Sequence, residues 1–237
     1  MNKTIKDITI VVPVKSQSER VKNKNLKKFG NTSLYHLKLK QLKKTKMFNK
    51  IIVSSEDQKI LDYALKKGFD IHKRDKYYST SKVPMSEVYS YIASEISGEN
   101  IAWVNVTNPL ADSFIYDEAA KLYLKMNLKK NDCLLSANIN KQNYFYKNKT
   151  VNFKPSPWPR SQDLIPLISL PFVINILKRK NMIKWGSCVG KKPKFFGLNP
   201  LLSLDIDDQF NFDICEMIFI NKIFKKIKRE DVFEDIL

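Results

Sequence analysis

Two aspartates separated by a single residue are the side chains best suited to hold a metal ion. Asp205 and Asp207 flank Ile206 in a run that reads LDIDD. In a strand, alternate side chains point to one face, which would place the two carboxylates roughly 6–7 Å apart. Neighbouring carboxylates repel each other unless a cation lies between them, and Mg²⁺ is the hard cation that bridges nucleotide phosphates. The pair therefore predicts a magnesium site. The alternative is a strand end that runs into a helix capped by Asp208.

A polar, cationic loop at residues 15–25 is the second candidate, and it follows an apolar run at residues 8–14. In a doubly wound sheet, ligands bind beyond the carboxyl ends of the strands, where backbone N–H groups and cations satisfy phosphate oxygens. The loop therefore predicts a triphosphate site, although it lacks the GxxxxGK[ST] pattern of a P-loop. The alternative is a lysine-rich surface loop. Its candidate residues are Lys15, Ser18, Arg20, Lys24 and Asn25.

Two further segments carry weaker signals. An apolar run ends at Asn105 and turns at an Asn-Pro pair, and a proline-rich stretch at residues 158–164 contains Arg160 and Gln162. Arg160 is one of only five arginines in the chain, and a planar guanidinium suits bidentate contact with a carboxylate. Taken singly, each segment could equally be a turn or an exposed surface.

The elements that must position these residues alternate between short apolar runs and helical patterns. This alternation predicts an α/β fold with a doubly wound, mostly parallel sheet and helices on both faces. Strands are predicted at residues 8–14, 51–53, 101–106, 133–137, 173–177 and 195–197. Helices are predicted around residues 34–42, at 60–65 before Gly68, at 86–96 with Ser86 as cap, at 114–126 and at 210–227.

Residues 140–172 interrupt the alternation. The stretch at 143–160 is aromatic and proline-rich with no helical period, which predicts a hairpin or loop outside the main sheet. Aromatic side chains at such density usually meet a partner. We therefore predict one domain over residues 1–237, in which 140–172 is a small arm that serves homodimerisation or the acceptor side of the site.

The composition fits one sizeable α/β domain of 237 residues with 43% hydrophobic side chains. Three separated cysteines without a zinc-ligand pattern indicate reduced thiols and a cytoplasmic location. The apolar run at residues 8–14 is too short for a signal peptide or a membrane span, so no membrane association is predicted.

A net charge of +18 raises the alternative of a nucleic-acid-binding protein. Only five of the 42 basic residues are arginine, the side chain preferred for bidentate contacts with bases and phosphates. A basic, solvated surface without a nucleic-acid partner is therefore the prediction. Strongly salt-dependent binding to nucleic acid and indifference to a nucleoside triphosphate would identify the alternative.

In order and separation, these segments resemble the CMP-sialic acid synthetases, within the cytidylyltransferases that also include the CMP-Kdo synthetases. The family's loop ARxxSK…KN corresponds to VKSQSERVKNKN here, with Lys15 in place of the arginine. Its V-S-T-D strand end corresponds to VSSE, and its Arg-Pro segment to Arg74-Asp75. Its QPTSPLR, PRxQ and IDIDT segments correspond to NVTNPLA, PRSQ and LDIDD. The resemblance covers essentially the whole chain.

The resemblance implies the Rossmann-like nucleotide-diphospho-sugar transferase fold and a dimer. It also implies transfer of CMP from CTP to an acidic sugar, with release of pyrophosphate, for surface glycan biosynthesis. The implied acceptor is a sialic acid-like nonulosonate or related 2-keto-3-deoxy acid, with a Kdo-like acid or a phosphonate as alternatives. The implied roles are catalysis for Lys15, Arg20 and Lys24, nucleotide binding for Lys15, Ser18, Asn25 and Arg74, acceptor binding for Asn105, Arg160 and Gln162, and Mg²⁺ binding for Asp205 and Asp207.

The chain departs from the family mainly on the acceptor side. Asn105 replaces a glutamine, Ala111 replaces an arginine, and Pro171-Phe172 stands where the family has Asn-Gly. Because the nucleotide and metal segments match better than the acceptor segments, the sequence predicts CTP as donor and leaves open which acid is the acceptor.

Overall fold

A nine-stranded sheet forms the centre of the computed structural model, which describes residues 8–48 and 50–234. In chain order the strands are β1 (Ile8–Pro13), β2 (Lys28–Phe29), β3 (Thr32–Ser33), β4 (Lys50–Ser55), β5 (Asp70–Lys73), β6 (Asn100–Trp103), β7 (Cys133–Asn140), β8 (Phe145–Tyr146), β9 (Lys149–Thr150), β10 (Leu167–Ser169), β11 (Asn175–Lys178), β12 (Pro193–Leu198) and β13 (Phe233–Glu234). The helices are α1 (Leu34–Leu42), α2 (Gln58–Lys66), α3 (Met85–Glu95), α4 (Ser113–Lys125), α5 (Arg179–Trp185) and α6 (Gln209–Ile220). The predicted domain limits of 1–237 include residues 1–7, 49 and 235–237, which lie outside the described residues.

The strands of the sheet run in the order β5-β4-β1-β6-β11-β7-β12-β13, and β10 pairs with β7. β1 is parallel to β4 and β6, β4 to β5, and β7 to β12. β11 is antiparallel to both of its neighbours, because the chain reaches it from β10 without a crossover helix. The predicted α/β fold with a mostly parallel, doubly wound sheet is confirmed.

Alternate side chains of β1 pack into two hydrophobic cores on opposite faces of the sheet. Ile10 and Val12 pack into the cluster beneath α1, α2 and α4. Val11 packs into the other cluster, with Ile92 of α3 and Met182 of α5. A strand buried on both faces reads as a continuous apolar run, which is why residues 8–14 were recognisable in the sequence.

Several predicted boundaries are wrong. The first turn of α3 begins at Met85 after Pro84, so Ser86 lies inside the helix and does not cap it. β6 ends at Trp103: the Val104 N–H still donates to the Val11 carbonyl (3.0 Å), but residues 104 and 105 belong to no strand and a turn begins at Val106. α6 ends at Ile220, because Lys222 takes the left-handed conformation (φ 55°).

The stretch at residues 143–160 contains the small β8–β9 hairpin outside the main sheet, as predicted, whereas Leu167–Ser169, later in the arm at residues 140–172, pairs with β7 as β10. The buried Asn152 holds the arm in place by donating to the carbonyls of Gln142 (2.8 Å) and Ile165 (2.9 Å). None of the helices in the described part of the chain has the length and apolar character needed to cross a bilayer. The three cysteines are buried and unpaired.

Candidate active site

A cleft of about 1050 Å³ opens at the carboxyl ends of β1, β4, β5 and β6. Nine predicted site residues from four separate segments line it. These are Lys15, Ser18, Arg20, Lys24, Asn25, Arg74, Asn105, Asp205 and Asp207. The edge where parallel strands end is the place where ligands bind in doubly wound sheets.

Arg160 and Gln162 are not among the residues that line this cleft; they lie in the arm. Arg160 is exposed and forms a bidentate ion pair with Asp163, at 2.6 and 3.1 Å. Their acceptor-binding roles therefore stay predictions that the cleft geometry does not support.

Two polar side chains fold the loop that follows β1. Ser18 Oγ donates to the carbonyl of Val21 (2.6 Å) and accepts from the backbone N–H of Lys24 (2.7 Å). Asn25 Nδ2 donates to the carbonyl of Lys15 (2.9 Å). With these bonds made, Ser18 and Asn25 order the loop around the cleft through its backbone.

Two lysines of this loop carry positive charge into the cleft. Burial lowers the pKa of Lys15, and nearby Arg74 lowers it further while Glu56 opposes the shift. Burial also lowers the pKa of Lys24, against the attraction of Asp205 and Asp207. Lys24 Nζ donates to the carbonyl of Ile206, so the loop cation is tied to the aspartate segment.

The aspartate segment is extended but is not a strand, which corrects the predicted context of Asp205 and Asp207. Ile206 is buried, and its N–H donates to the carbonyl of Thr107 (3.0 Å). Asp208 accepts from the Asn211 N–H (2.8 Å) and caps α6. Asp208 is therefore the helix cap, as the alternative interpretation predicted. Asp205 and Asp207 line the cleft, so the two interpretations apply to different residues of the same segment.

The two carboxylates differ in environment. Burial raises the pKa of Asp205, and Asp207 adds to the rise, while the Thr107 side chain and Lys24 oppose it. Asp205 Oδ1 is buried without a hydrogen-bond partner. Asp207 is largely exposed and pairs with Arg20 at 2.9 Å. An unpaired buried carboxylate oxygen is costly, which suits a position that a cation completes.

Glu56, at the end of β4, is a central residue that no predicted role included. It accepts from the Ser16 N–H (2.8 Å), the Ser16 hydroxyl (2.9 Å) and Arg74 Nη2 (3.0 Å). Burial alone would raise the pKa of Glu56, but these hydrogen bonds outweigh it and lower the pKa. The same Arg74 nitrogen donates to the carbonyl of Val14 (2.7 Å), and the Arg74 side chain is 1% exposed. Arg74 therefore fixes the end of β1, and its Nε is buried without a hydrogen-bond partner, so its nucleotide contact stays a prediction.

Tyr89 and Trp103 line the same cleft and form an aromatic wall. Trp103 Nε1 donates to Asn105 Oδ1 (3.2 Å), and the Tyr89 ring meets Trp103 edge to face at 4.6 Å. This bond occupies the oxygen of the Asn105 amide and leaves its Nδ2 as the group for a ligand. The wall was missed because Tyr89 and Trp103 read in the sequence as ordinary core positions of a helix and a strand.

A sequence profile described as cytidylyltransferase matches residues 9–157, from β1 through the β8–β9 hairpin. The chain belongs to the cytidylyltransferase family. The predicted family is thereby confirmed, and the chain is a CTP-dependent nucleotidyltransferase.

Individual relatives are distant. Post-translational flagellin modification protein B of Campylobacter coli is 22% identical over 229 residues, which cover 91% of this chain and 96% of that protein. The N-acylneuraminate cytidylyltransferase of Escherichia coli O18:K1:H7 is 24% identical over 97% of this chain, but this chain spans only 55% of that protein.

A solved structure shares the fold of this cytidylyltransferase. The CMP:2-keto-3-deoxy-manno-octonic acid synthetase complexed with CTP superposes with a TM-score of 0.65, over 91% of this chain and 99% of that chain, at 8% sequence identity.

Proposed function

We propose that this cytidylyltransferase transfers CMP from CTP to a hydroxyl of an acidic sugar and releases pyrophosphate, for surface glycan biosynthesis. The observation that carries the proposal is the cleft itself, where the cations of the β1 loop face Asp205 and Asp207. A triphosphate and a cation would together neutralise both sets of charges.

The donor half of the proposal rests on the loop after β1. Lys15, Arg20 and Lys24 offer three positive charges at the edge of the cleft, and Ser18 and Asn25 hold the loop that carries them. Charge-assisted hydrogen bonds to phosphate oxygens are short and strong. Arg20 now pairs with Asp207 on an exposed surface, so little energy is lost when it turns to a phosphate.

Asp205 and Asp207 fit a magnesium ion, which we propose as cofactor. Within the described residues, no cluster of three or more His, Cys, Asp or Glu side chains could hold a metal. This agrees with a Mg²⁺ that takes one or two carboxylates and completes its shell with water and substrate phosphates. When bound, Mg²⁺ would offset negative charge on the phosphates.

In the proposed reaction the acceptor hydroxyl attacks the α-phosphorus of CTP in line. A new O–P bond forms as the bond to pyrophosphate breaks, and the proton of the hydroxyl passes to water. Chemistry of this kind depends on positioning and charge neutralisation more than on covalent participation by the protein. Lys15 and Lys24 would offset the charge that accumulates on the leaving pyrophosphate.

An acidic sugar is the proposed acceptor because the relatives are named for such acids: N-acylneuraminate in one case and 2-keto-3-deoxy-manno-octonic acid in another. Asn105 Nδ2 would donate to an acceptor oxygen from the aromatic wall. Lys76 and Lys82 also line the cleft, so a carboxylate has cationic partners there without Arg160. We propose further that the protein acts in the cytoplasm.

The test is pyrophosphate release by the purified chain with CTP, Mg²⁺ and a panel of acids, with the CMP-sugar identified by mass spectrometry. The panel contains N-acetylneuraminic, legionaminic, pseudaminic and 2-keto-3-deoxy-manno-octonic acids and a phosphonate. We expect turnover with at least one sugar acid and a preference for CTP over UTP. Absence of turnover with every acid would contradict the acidic-sugar assignment.

Asp205→Asn tests the role of the aspartate pair. It should reduce turnover by at least about a hundredfold, because a metal-bearing carboxylate contributes several kcal/mol to transition-state stabilisation. Asp213→Asn is the matched control, since Asp213 is an exposed carboxylate of α6 that bonds only Gln209. A near-normal rate for Asp205→Asn at limiting Mg²⁺ would show that this carboxylate does not hold the metal.

A further inference from the structure

A fully buried lysine lies behind the cleft, on α1. Lys38 has no solvent exposure. Its Nζ donates to the carbonyl of Asn108 (2.8 Å) and to the hydroxyl of Tyr116, and it lies 5.0 Å from the centre of the Tyr116 ring. None of its contacts reaches the cleft, and no role so far described includes it.

A buried lysine at this position has a high cost in free energy. Removing an ammonium group from water costs several kcal/mol unless hydrogen bonds and charges compensate. Burial lowers the pKa of Lys38 to about 7, although the carboxylates of Asp205 and Asp112 act in the opposite direction. Leucine is the usual solution for the buried face of a helix, as at Leu34 and Leu42 of α1.

The carbonyl that Lys38 holds belongs to the turn after β6, and this turn holds the aspartate segment. Asn108 Nδ2 donates to the carbonyls of Ser203 (3.4 Å) and Leu204 (3.3 Å), and also to that of Pro171 (3.0 Å). Asn108 is itself fully buried.

Thr107, in the same turn, makes the other two connections. Its carbonyl accepts from the Ile206 N–H (3.0 Å), and its side chain hydrogen-bonds the carboxylate of Asp205. The backbone on both sides of Asp205 and the carboxylate itself are therefore held by two consecutive residues, and Lys38 binds the second of them.

We propose that Lys38 is a positioning residue for Asp205, acting through the turn at residues 107–109. α1 packs in the core, and the hydrogen bond from Lys38 fixes the position of this turn relative to α1. The position of residues 107–109 then determines the position of the Asp205 carboxylate in the cleft. This inference rests on the proposed function only in giving Asp205 a role in the reaction. Reacting groups must be held within a fraction of an ångström, so a displaced turn would lower the rate without removing any group from the cleft.

Lys38→Met tests the proposal, because methionine fills a similar volume and cannot donate to Asn108. Tyr35→Phe is the matched control: it deletes a buried hydrogen bond from the same helix, between the Tyr35 hydroxyl and the Ile60 carbonyl (2.7 Å), which points away from the turn. The first measurement is amide hydrogen exchange at Ile206, followed by NMR, which needs no activity. The second is kcat, KM for CTP and the Mg²⁺ concentration for half-maximal rate.

For Lys38→Met we expect exchange at Ile206 at least about tenfold faster than in Tyr35→Phe. We also expect kcat to fall about tenfold or more with KM for CTP within about twofold, since an interaction used in the transition state is lost. Unchanged exchange at Ile206, or unchanged kcat, would overturn the proposal. If Lys38→Met does not fold, Tyr116→Phe removes one acceptor of Lys38, and the same readouts should shift in the same direction.

The two proposals can fail separately. If the wild type shows no nucleotidyl transfer, the proposed function fails, and exchange at Ile206 still decides whether Lys38 holds the turn.

Discussion

At the scale of single residues, the end of β1 depends on an ion pair that is almost fully buried. The side chains of Arg74 and Glu56 are 1% and 13% exposed and meet at 3.0 Å. Both also bind the chain that follows β1, Arg74 at the Val14 carbonyl and Glu56 at Ser16. Removing one member of such a pair leaves the other charge buried without compensation.

We expect Glu56→Gln to lower the free energy of unfolding by about 3 kcal/mol, because the charge of Arg74 is then unbalanced. Urea denaturation measures this change. Glu118→Gln, which breaks the exposed 2.7 Å pair between Lys121 and Glu118, should cost less than about 1 kcal/mol. Equal losses in the two variants would contradict the proposed importance of the buried pair.

The same variant has an expected pH signature. Because the pKa of Glu56 is lowered on folding, its stabilising contribution is present above the unfolded pKa and is lost as the pH falls through the folded pKa. The unfolding free energy of Glu56→Gln should therefore depend less on pH in the acid range than that of the wild type.

Residues whose place in the cleft follows from local sequence were the ones that could be predicted. Asp205 and Asp207 are recognisable by spacing, and the β1 loop by its position after an apolar run. Glu56 and Lys38 were not, because their importance comes from partners 18 to 78 positions away in the chain. A lysine in α1 reads as an exposed helix face until the fold buries it.

At the scale of elements, local periodicity identifies strands and helices but not strand direction. The apolar run at residues 173–177 was predicted as a strand, and β11 occupies most of it. Its antiparallel direction depends on the missing crossover helix before it, and the pairing of β10 with β7 depends on the path of the arm. Arg160 was predicted to bind the acceptor for the same reason: the order of residues along the chain does not show where the arm lies relative to the cleft.

The C-terminal end of α5 offers a prediction at this scale. Gly186 takes the left-handed conformation (φ 57°), and a Cβ there would lie 2.9 Å from the Ser86 carbonyl oxygen, in the first turn of α3. Gly186→Ala should therefore lower the unfolding free energy by at least about 2 kcal/mol, from backbone strain and from the clash between helices.

Gly68→Ala separates these two causes. Gly68 ends α2 with φ 81°, and nothing lies within 4 Å of an added Cβ. This variant should cost only the strain, about 1 kcal/mol, as measured by the same denaturation experiment. If Gly186→Ala lowers the unfolding free energy no more than Gly68→Ala does, α5 and α3 can move apart without an energetic penalty.

At the scale of the whole molecule, charge and shape have different consequences. A net charge of +18 attracts polyanions over a long range, which favours encounter with CTP at low ionic strength. It says nothing about which acid is bound. The arm has a shape suited to contact with another protein chain. Phe145 and Tyr146 of its hairpin are 59% and 70% exposed, and Trp158, which follows the hairpin, is 67% exposed.

We propose that the arm joins two copies of this chain in a homodimer. Two of the exposed rings are joined by a third: Phe153 meets Phe145 at 5.5 Å and Trp158 at 5.4 Å, so these three rings form one apolar surface. Surfaces of this kind on soluble proteins mark contacts with partners, and aromatic side chains dominate the binding energy there. Sedimentation velocity at micromolar concentration should therefore give twice the mass of one chain.

The double variant Phe145→Ser/Trp158→Ser should weaken the dimer at least about a hundredfold, since two aromatic anchors that the dimer would bury are lost. It should leave the fold intact, because both side chains are exposed in one chain. Phe210→Ser is the matched control: Phe210 is similarly exposed, at 70%, but lies on α6 outside the arm. A wild-type chain that sediments as a monomer, or a dimer weakened as much by Phe210→Ser as by the double variant, would rule out the arm as the dimer contact.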